Sequence, residues 1–167
     1  MNYENITVGI VAYRSENVIF DCLKSIKTIH KIIIYDNSND ISLKKKVSKK
    51  YPNIRYILSK TNIGYGAANN KIFKIARTPY VFVVSPDTIM SKNCVDVLIN
   101  QSNKYIKDFS IFSPSSNERN YGFFEKGKLK NGKSKNIIKV DYVKGFAMLI
   151  NIKKIKNIGM FDENFFL

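Results

Sequence analysis

ITVGIVA, residues 6–12, decides the fold. Its apolar and β-branched residues run on without alternation, whereas a strand with one wet face alternates, so the stretch reads as a strand covered on both faces. Such a strand belongs in the middle of a sheet. Working outward, Val18, Ile19, Cys22, Leu23 and Ile26 recur on one side of a helix, with Ser15 placed to cap its first turn. A second strand, residues 32–35, ends at Asp36, and a short basic helix over 42–50 is closed by Pro52.

The same alternation continues. Residues 54–58 read as a strand, 65–75 as a helix after a glycine-containing turn, 80–85 (YVFVVS) as a buried strand and 92–107 as a helix. Strands separated by helices of this length imply right-handed crossovers and a mainly parallel sheet covered by helices on both faces, an α/β class. Beyond Ile111 the character changes. Residues 121–139 carry many Lys and Gly around the turn dipeptide Asn131-Gly132 and predict a mobile basic loop or hairpin. Residues 143–150 (VKGFAMLI) predict a further strand, and a helix over 153–158 ends at Gly159.

A chain of 167 residues is one domain by size, long enough to bury about 70% of its unfolded surface. No apolar run approaches the roughly 20 residues of a membrane-spanning helix. The amino terminus lacks the layout of a secretory signal, and Cys22 and Cys94 sit among apolar neighbours in predicted helices, so a soluble protein of the cytoplasm is expected. The net charge of +15 suits an anionic partner, whether nucleic acid, anionic lipid or a sugar diphosphate. A compositional bias toward Lys, Asn and Ile accounts for the charge equally well. His30 has no second imidazole or nearby thiol to complete a zinc site.

Ligands of open α/β sheets bind beyond the carboxyl ends of the strands. Those ends carry Ala12-Tyr13-Arg14, Asp36-Asn37-Ser38, the turn with Asn62, Gly64 and Gly66, and Ser85-Pro86-Asp87-Thr88. Neither a G-x-G-x-x-G turn nor a G-K-[ST] loop follows the first strand, which weakens both the dinucleotide and the phosphate-loop readings. Two acids remain. Mg²⁺ or Mn²⁺ takes one or two carboxylates plus phosphate oxygens and water, which makes Asp87 the candidate metal ligand, while Asp36 would accept hydrogen bonds from a base imide or a ribose hydroxyl. Taken singly, each acid is as readily a turn or helix cap.

ITVGIVAYRSE, IIIYDNSND, NIGYGAANN, VVSPDT and VKGFAMLINIKKIKNIGMFDENFFL, in this order from Ile6 to Leu167, resemble family 2 glycosyltransferases, particularly the rhamnosyltransferase-like branch. The resemblance implies a glycosyltransferase-A fold, a nucleotide-sugar donor and a divalent cation. It places Ala12 and Tyr13 beside the base and Asp36 on the base or ribose. Asn62, Gly64 and Asn69 would line the donor site, and Asp87 would hold the metal. Arg14 is a further phosphate contact, and Tyr13 and Tyr65 stand between ligand contact and rim packing. Many relatives carry Asp-x-Asp where this chain has Ser85-Pro86-Asp87. Relatives also continue past this motif to a Glu-Asp pair supplying the general base, so the chain is expected to stop before its catalytic base, with Asp162 a weak substitute.

The implied reaction is inverting transfer of a sugar to a saccharide or lipid-linked acceptor in cell-surface polysaccharide synthesis. The lysines of 126–139 would close over the diphosphate, touch an anionic membrane from its inner face or remain solvated. The competing class is a non-catalytic nucleotide-binding module or a basic RNA-binding domain. Recognisable base-stacking motifs of RNA modules are absent, which counts against nucleic acid.

Overall fold

The computed structural model describes residues 1–26, 28–29, 31–115, 137 and 140–166. His30, and the predicted hairpin over 121–139 apart from Ile137, lie outside the described residues. A six-stranded sheet in the order β3-β2-β1-β4-β6-β5 organises the chain. The strands are β1 (Ile6–Ala12), β2 (Ile32–Asp36), β3 (Arg55–Leu58), β4 (Tyr80–Val84), β5 (Ile111–Phe112) and β6 (Ala147–Asn151). The helices are α1 (Ile19–Ser25), α2 (Ile41–Lys50), α3 (Tyr65–Ile75), α4 (Cys94–Lys104) and α5 (Ile152–Ile158). Ile6–Ala12 is buried at every position and central, as its unbroken run requires.

β1 pairs in parallel with β2 and β4, and β2 with β3, whereas β6 runs antiparallel to both β4 and β5. The sheet is therefore mainly parallel with a reversed edge. Alternate side chains of β1 feed two cores. Ile6, Val8, Ile10 and Ala12 pack with Ile19, Cys22 and Leu23 of α1, Leu43 and Val47 of α2, and Val95, Leu98 and Ile99 of α4. On the other face Val11, Ile33, Val81 and Val83 meet Ile72 and Phe73 of α3 and Ile155 of α5. Each fully buried Ile, Leu or Phe contributes about 1.5–3 kcal/mol, so both layers are held chiefly by apolar burial. Gly9 permits the second layer, because a Cβ there would stand 2.9 Å from Ile72 Cγ2.

Three readings of the sequence need correction. Ser15 does not cap α1: its hydroxyl donates back to the Tyr13 carbonyl, and only its own carbonyl receives the Val18 and Ile19 N–H groups. The last long strand starts at Ala147 rather than 143, because the Gly145 carbonyl accepts the Tyr65 hydroxyl at 2.7 Å instead of joining a ladder. The fourth helix covers Cys94–Lys104 rather than 92–107, begun by Asn93 in a left-handed conformation. The cap of α2 is Asp40, whose Oδ1 accepts the Ser42 N–H at 2.8 Å. No helix among the described residues is long and apolar enough to cross a membrane.

Candidate functional site

The parallel strands bring the selected residues to one edge of the sheet. Ala12 and Asp36 are register partners at the ends of β1 and β2, and the Asn37 N–H donates to the Ala12 carbonyl at 2.8 Å. On the other side of β1, Asp87 lies just past the end of β4. Strand spacing of about 4.8 Å puts the two acid-bearing strands about 10 Å apart, flanking the end of β1.

The acids differ in environment. Asp36 is wholly buried; Tyr56 Oη donates to its Oδ2 at 2.6 Å and the Ser38 N–H to its Oδ1 at 2.9 Å. Its carboxylate is thus held rigidly from β3 and from its own turn, with one donor on each oxygen. Burial, then the bond and charge of Asp36, push the Tyr56 phenol far up, so it stays a donor. Asp87 is exposed. Its turn is fixed by the Ser85 N–H donating to the Phe146 carbonyl at 2.8 Å, the Thr88 N–H to the Ser85 carbonyl at 3.0 Å, and the buried Cys22 thiol to that same carbonyl at 3.6 Å.

The turn over 62–64 is attached to β2 by Asn37, a strand-end residue to which the sequence alone assigns no role. Asn37 Nδ2 donates to the Gly64 carbonyl and its Oδ1 accepts the Ile63 N–H, both at 3.3 Å. Asn62, exposed, accepts the Gly64 N–H at 3.0 Å. Gly64 starts α3 at φ 82°, ψ 167°, a region that is essentially glycine-only. Tyr13 is 48% exposed, with the Arg14 guanidinium 5.3 Å from its ring centre. Asn69 is fully buried inside α3 rather than on the rim: Nδ2 donates to the Tyr65 carbonyl, while its Oδ1 finds no hydrogen-bond partner among the described residues.

A second attachment involves Asn70, also missed. Its Nδ2 donates to the Phe161 carbonyl at 2.8 Å and to Glu163 Oε1 at 2.9 Å, and its Oδ1 accepts the Phe161 N–H at 3.1 Å. Phe161 packs against Tyr65 and Phe73, and a Cβ at Gly66 would lie 3.3 Å from Phe161 Cβ. The segment bearing Asp162 is therefore docked on the end of α3 that begins at the 62–64 turn. The Asp162 carboxylate is exposed, and its Oδ1 accepts from Asn164 N and Nδ2 at 2.9 Å, a local turn. A pattern of isolated polar residues in one chain carries no sign of such distant attachments.

Among the described residues no three His, Cys, Asp or Glu side chains converge into a protein-only metal cage. A cation that arrives with a diphosphate asks less, one or two carboxylates with phosphate oxygens and water, and the exposed Asp87 carboxylate fits that donor set.

The sequence profile of glycosyl transferase family 2 matches residues 7–159. The low-salt glycan biosynthesis hexosyltransferase Agl10 of Haloferax volcanii is 28% identical over 184 residues, covering 98% of this chain and 58% of that protein. Among solved structures, S. aureus TarS 1–349 superposes with a TM-score of 0.71 at 18% identity, covering 98% of this chain and 52% of that one. The mannosyltransferase PcManGT of Pyrobaculum calidifontis, in complex with GDP-Man and Mn²⁺, has a TM-score of 0.70 at 15% identity, covering 96% and 48%. The chain thus spans about half the length of these relatives, and the expected glycosyltransferase-A architecture is the one the two solved structures share with it.

Proposed function

The chain belongs to glycosyl transferase family 2, and from that premise we propose that it binds a nucleotide-diphosphate sugar at the carboxyl edge of the sheet for inverting transfer. The acceptor is a saccharide or a lipid-linked saccharide in cell-surface polysaccharide synthesis. One observation supports the reading: Asp36 and Asp87 follow the two strands that flank β1, Tyr13 follows β1 itself, and Asn37 ties the 62–64 turn to the end of β2. Complexes of two structural neighbours add weight, one with GDP-Man and Mn²⁺ and one with UDP.

In this mechanism Tyr13 offers its ring to the base, and the fixed carboxylate of Asp36 accepts from the base imide or a ribose hydroxyl. Asn62 and Gly64 line the donor side, with Asn69 beneath them, and Arg14 stands by the phosphates. Asp87 would hold Mg²⁺ or Mn²⁺, which when bound supplies charge neutralisation for the departing diphosphate. Inversion also needs a base on the acceptor hydroxyl. The resemblance assigns that base to residues following this segment, with Asp162 the weaker alternative inside the chain.

Titration with nucleoside diphosphates, with and without Mn²⁺, tests the proposal. Binding should require the metal, and Asp87→Ala should weaken it by about tenfold or more, as expected for loss of a charged contact. Metal-independent, salt-sensitive binding to any polyanion would instead establish the second reading, a basic binding module, which the +15 charge favours. Asp162→Asn in a protein extended to the length of its relatives separates the two base assignments. Unchanged turnover removes Asp162.

A further inference from the structure

The outer face of α2 takes no part in the donor site. Leu43 and Val47 turn into the core, and five of the ten residues are lysines, Lys44, Lys45, Lys46, Lys49 and Lys50, with no acid among them. The spacing sets Lys45 beside Lys49 and Lys46 beside Lys50 on the helix surface. All four are exposed. The salt bridge found among the described residues, Lys31 with Glu4, is elsewhere. Of the acids nearby in sequence, Asp40 is bound by Ser42 at the cap and feels the charge of Lys46, while among the described residues Glu16 and Asp21 form no salt bridge.

Apolar groups lie among these cations. Lys50 Nζ is 5.3 Å from the Phe20 ring centre and 5.6 Å from that of Tyr51. Phe20, Lys46, Lys49 and Lys50 surround a shallow depression that is largely open to solvent. At the amino ends of the same two helices Ile41 is 52% and Val18 38% exposed. Lysines around exposed aliphatic and aromatic groups form an interfacial surface, with charge for the headgroups and apolar side chains for the acyl boundary. A polynucleotide would satisfy the lysines and leave Ile41 and Val18 in water.

We propose that the α1–α2 face docks on an anionic phospholipid bilayer, seating a headgroup phosphate among Lys46, Lys49 and Lys50 beside the Phe20 ring. Each lysine close to an anionic leaflet strengthens partitioning about fivefold, so three together account for about 100-fold. This surface is independent of the donor-site assignment.

Co-sedimentation with vesicles of phosphatidylcholine, with and without phosphatidylglycerol, measures the effect. The chain should bind only the anionic vesicles, and K46E/K49E/K50E should lose about 100-fold or more. K71E/K153E/K156E makes the same charge change on α3 and α5, the opposite face, and should stay within about threefold, since no lipid contact is removed there. Nucleotide titration should be unaltered in both variants. Absence of phosphatidylglycerol dependence overturns the proposal, as does equal weakening in the two variants, which would make net charge the cause. Release by glycerol phosphate in solution would identify the seat as a free-anion site, and loss of RNA binding rather than vesicle binding in the first variant would make it a nucleic-acid surface. Either result sinks the lipid assignment.

Discussion

Burial, and secondarily the charge of Asp87, push the Cys22 thiol up to about 12. It is therefore protonated at neutral pH and able to hold the Ser85 carbonyl. A thiol reagent at pH 8 should label the half-buried Cys94 first and reach Cys22 only on unfolding, a difference readable by mass spectrometry. The same shift has a stability sign. The unfolded thiol ionises near 9.0 while the folded one resists to about 12, so the folded state holds the extra proton in between and stability falls as pH climbs through that window. Tyr65, raised from 10.0 to about 12 by burial, acts in the same direction. Urea midpoints measured across this range should decline, and less steeply in Cys22→Ala. At Asp36, Tyr56→Phe deletes one donor to a buried carboxylate and should cost about 1–3 kcal/mol of stability while weakening nucleotide binding. Unchanged denaturation and affinity would remove Tyr56 from the site.

The elements show what a single sequence discloses. β1 and β4 were legible because unbroken β-branched runs have few other uses, and α5 because Gly159 stops it. The direction of β6 was not, since a run of apolar residues carries no arrow, and two-residue β5 is too short to show a period. The carboxyl rim could be read from strand ends, yet the attachments made by Asn37, Tyr56 and Asn70 could not, because each acts on residues 20 to 93 positions away. Ser15 misled for a related reason: a capping residue type serves equally well in a turn that folds back on Tyr13. Two substitutions test these elements. Gly64→Ala forces a side chain into a conformation reserved for glycine and should cost about 1–3 kcal/mol, with nucleotide affinity falling alongside stability. Asn70→Ala should accelerate amide exchange at Phe161 while leaving exchange in β1 slow, because it unties a segment and not the sheet.

At the scale of the molecule, 28 basic residues stand against 13 acidic ones. Mutual repulsion then works against compactness, and sodium chloride, with a screening length of about 10 Å at 0.1 M, should raise the thermal midpoint. A midpoint that falls or stays flat with salt would mean that local pairing outweighs repulsion. The reversed β6 has a different consequence. It starts at the carboxyl edge of the parallel strands opposite Val84 and finishes at the far edge opposite Tyr80, and α5 then carries the chain back to Gly66. Entry to and exit from this unit consequently share a rim. A dye attached through Phe165→Cys, in a protein whose Cys94 is replaced by serine, would ride a few residues from the contact of Phe161 with Gly66, giving an optical gauge of events at that rim without altering Asp36, Asp87 or the 62–64 turn.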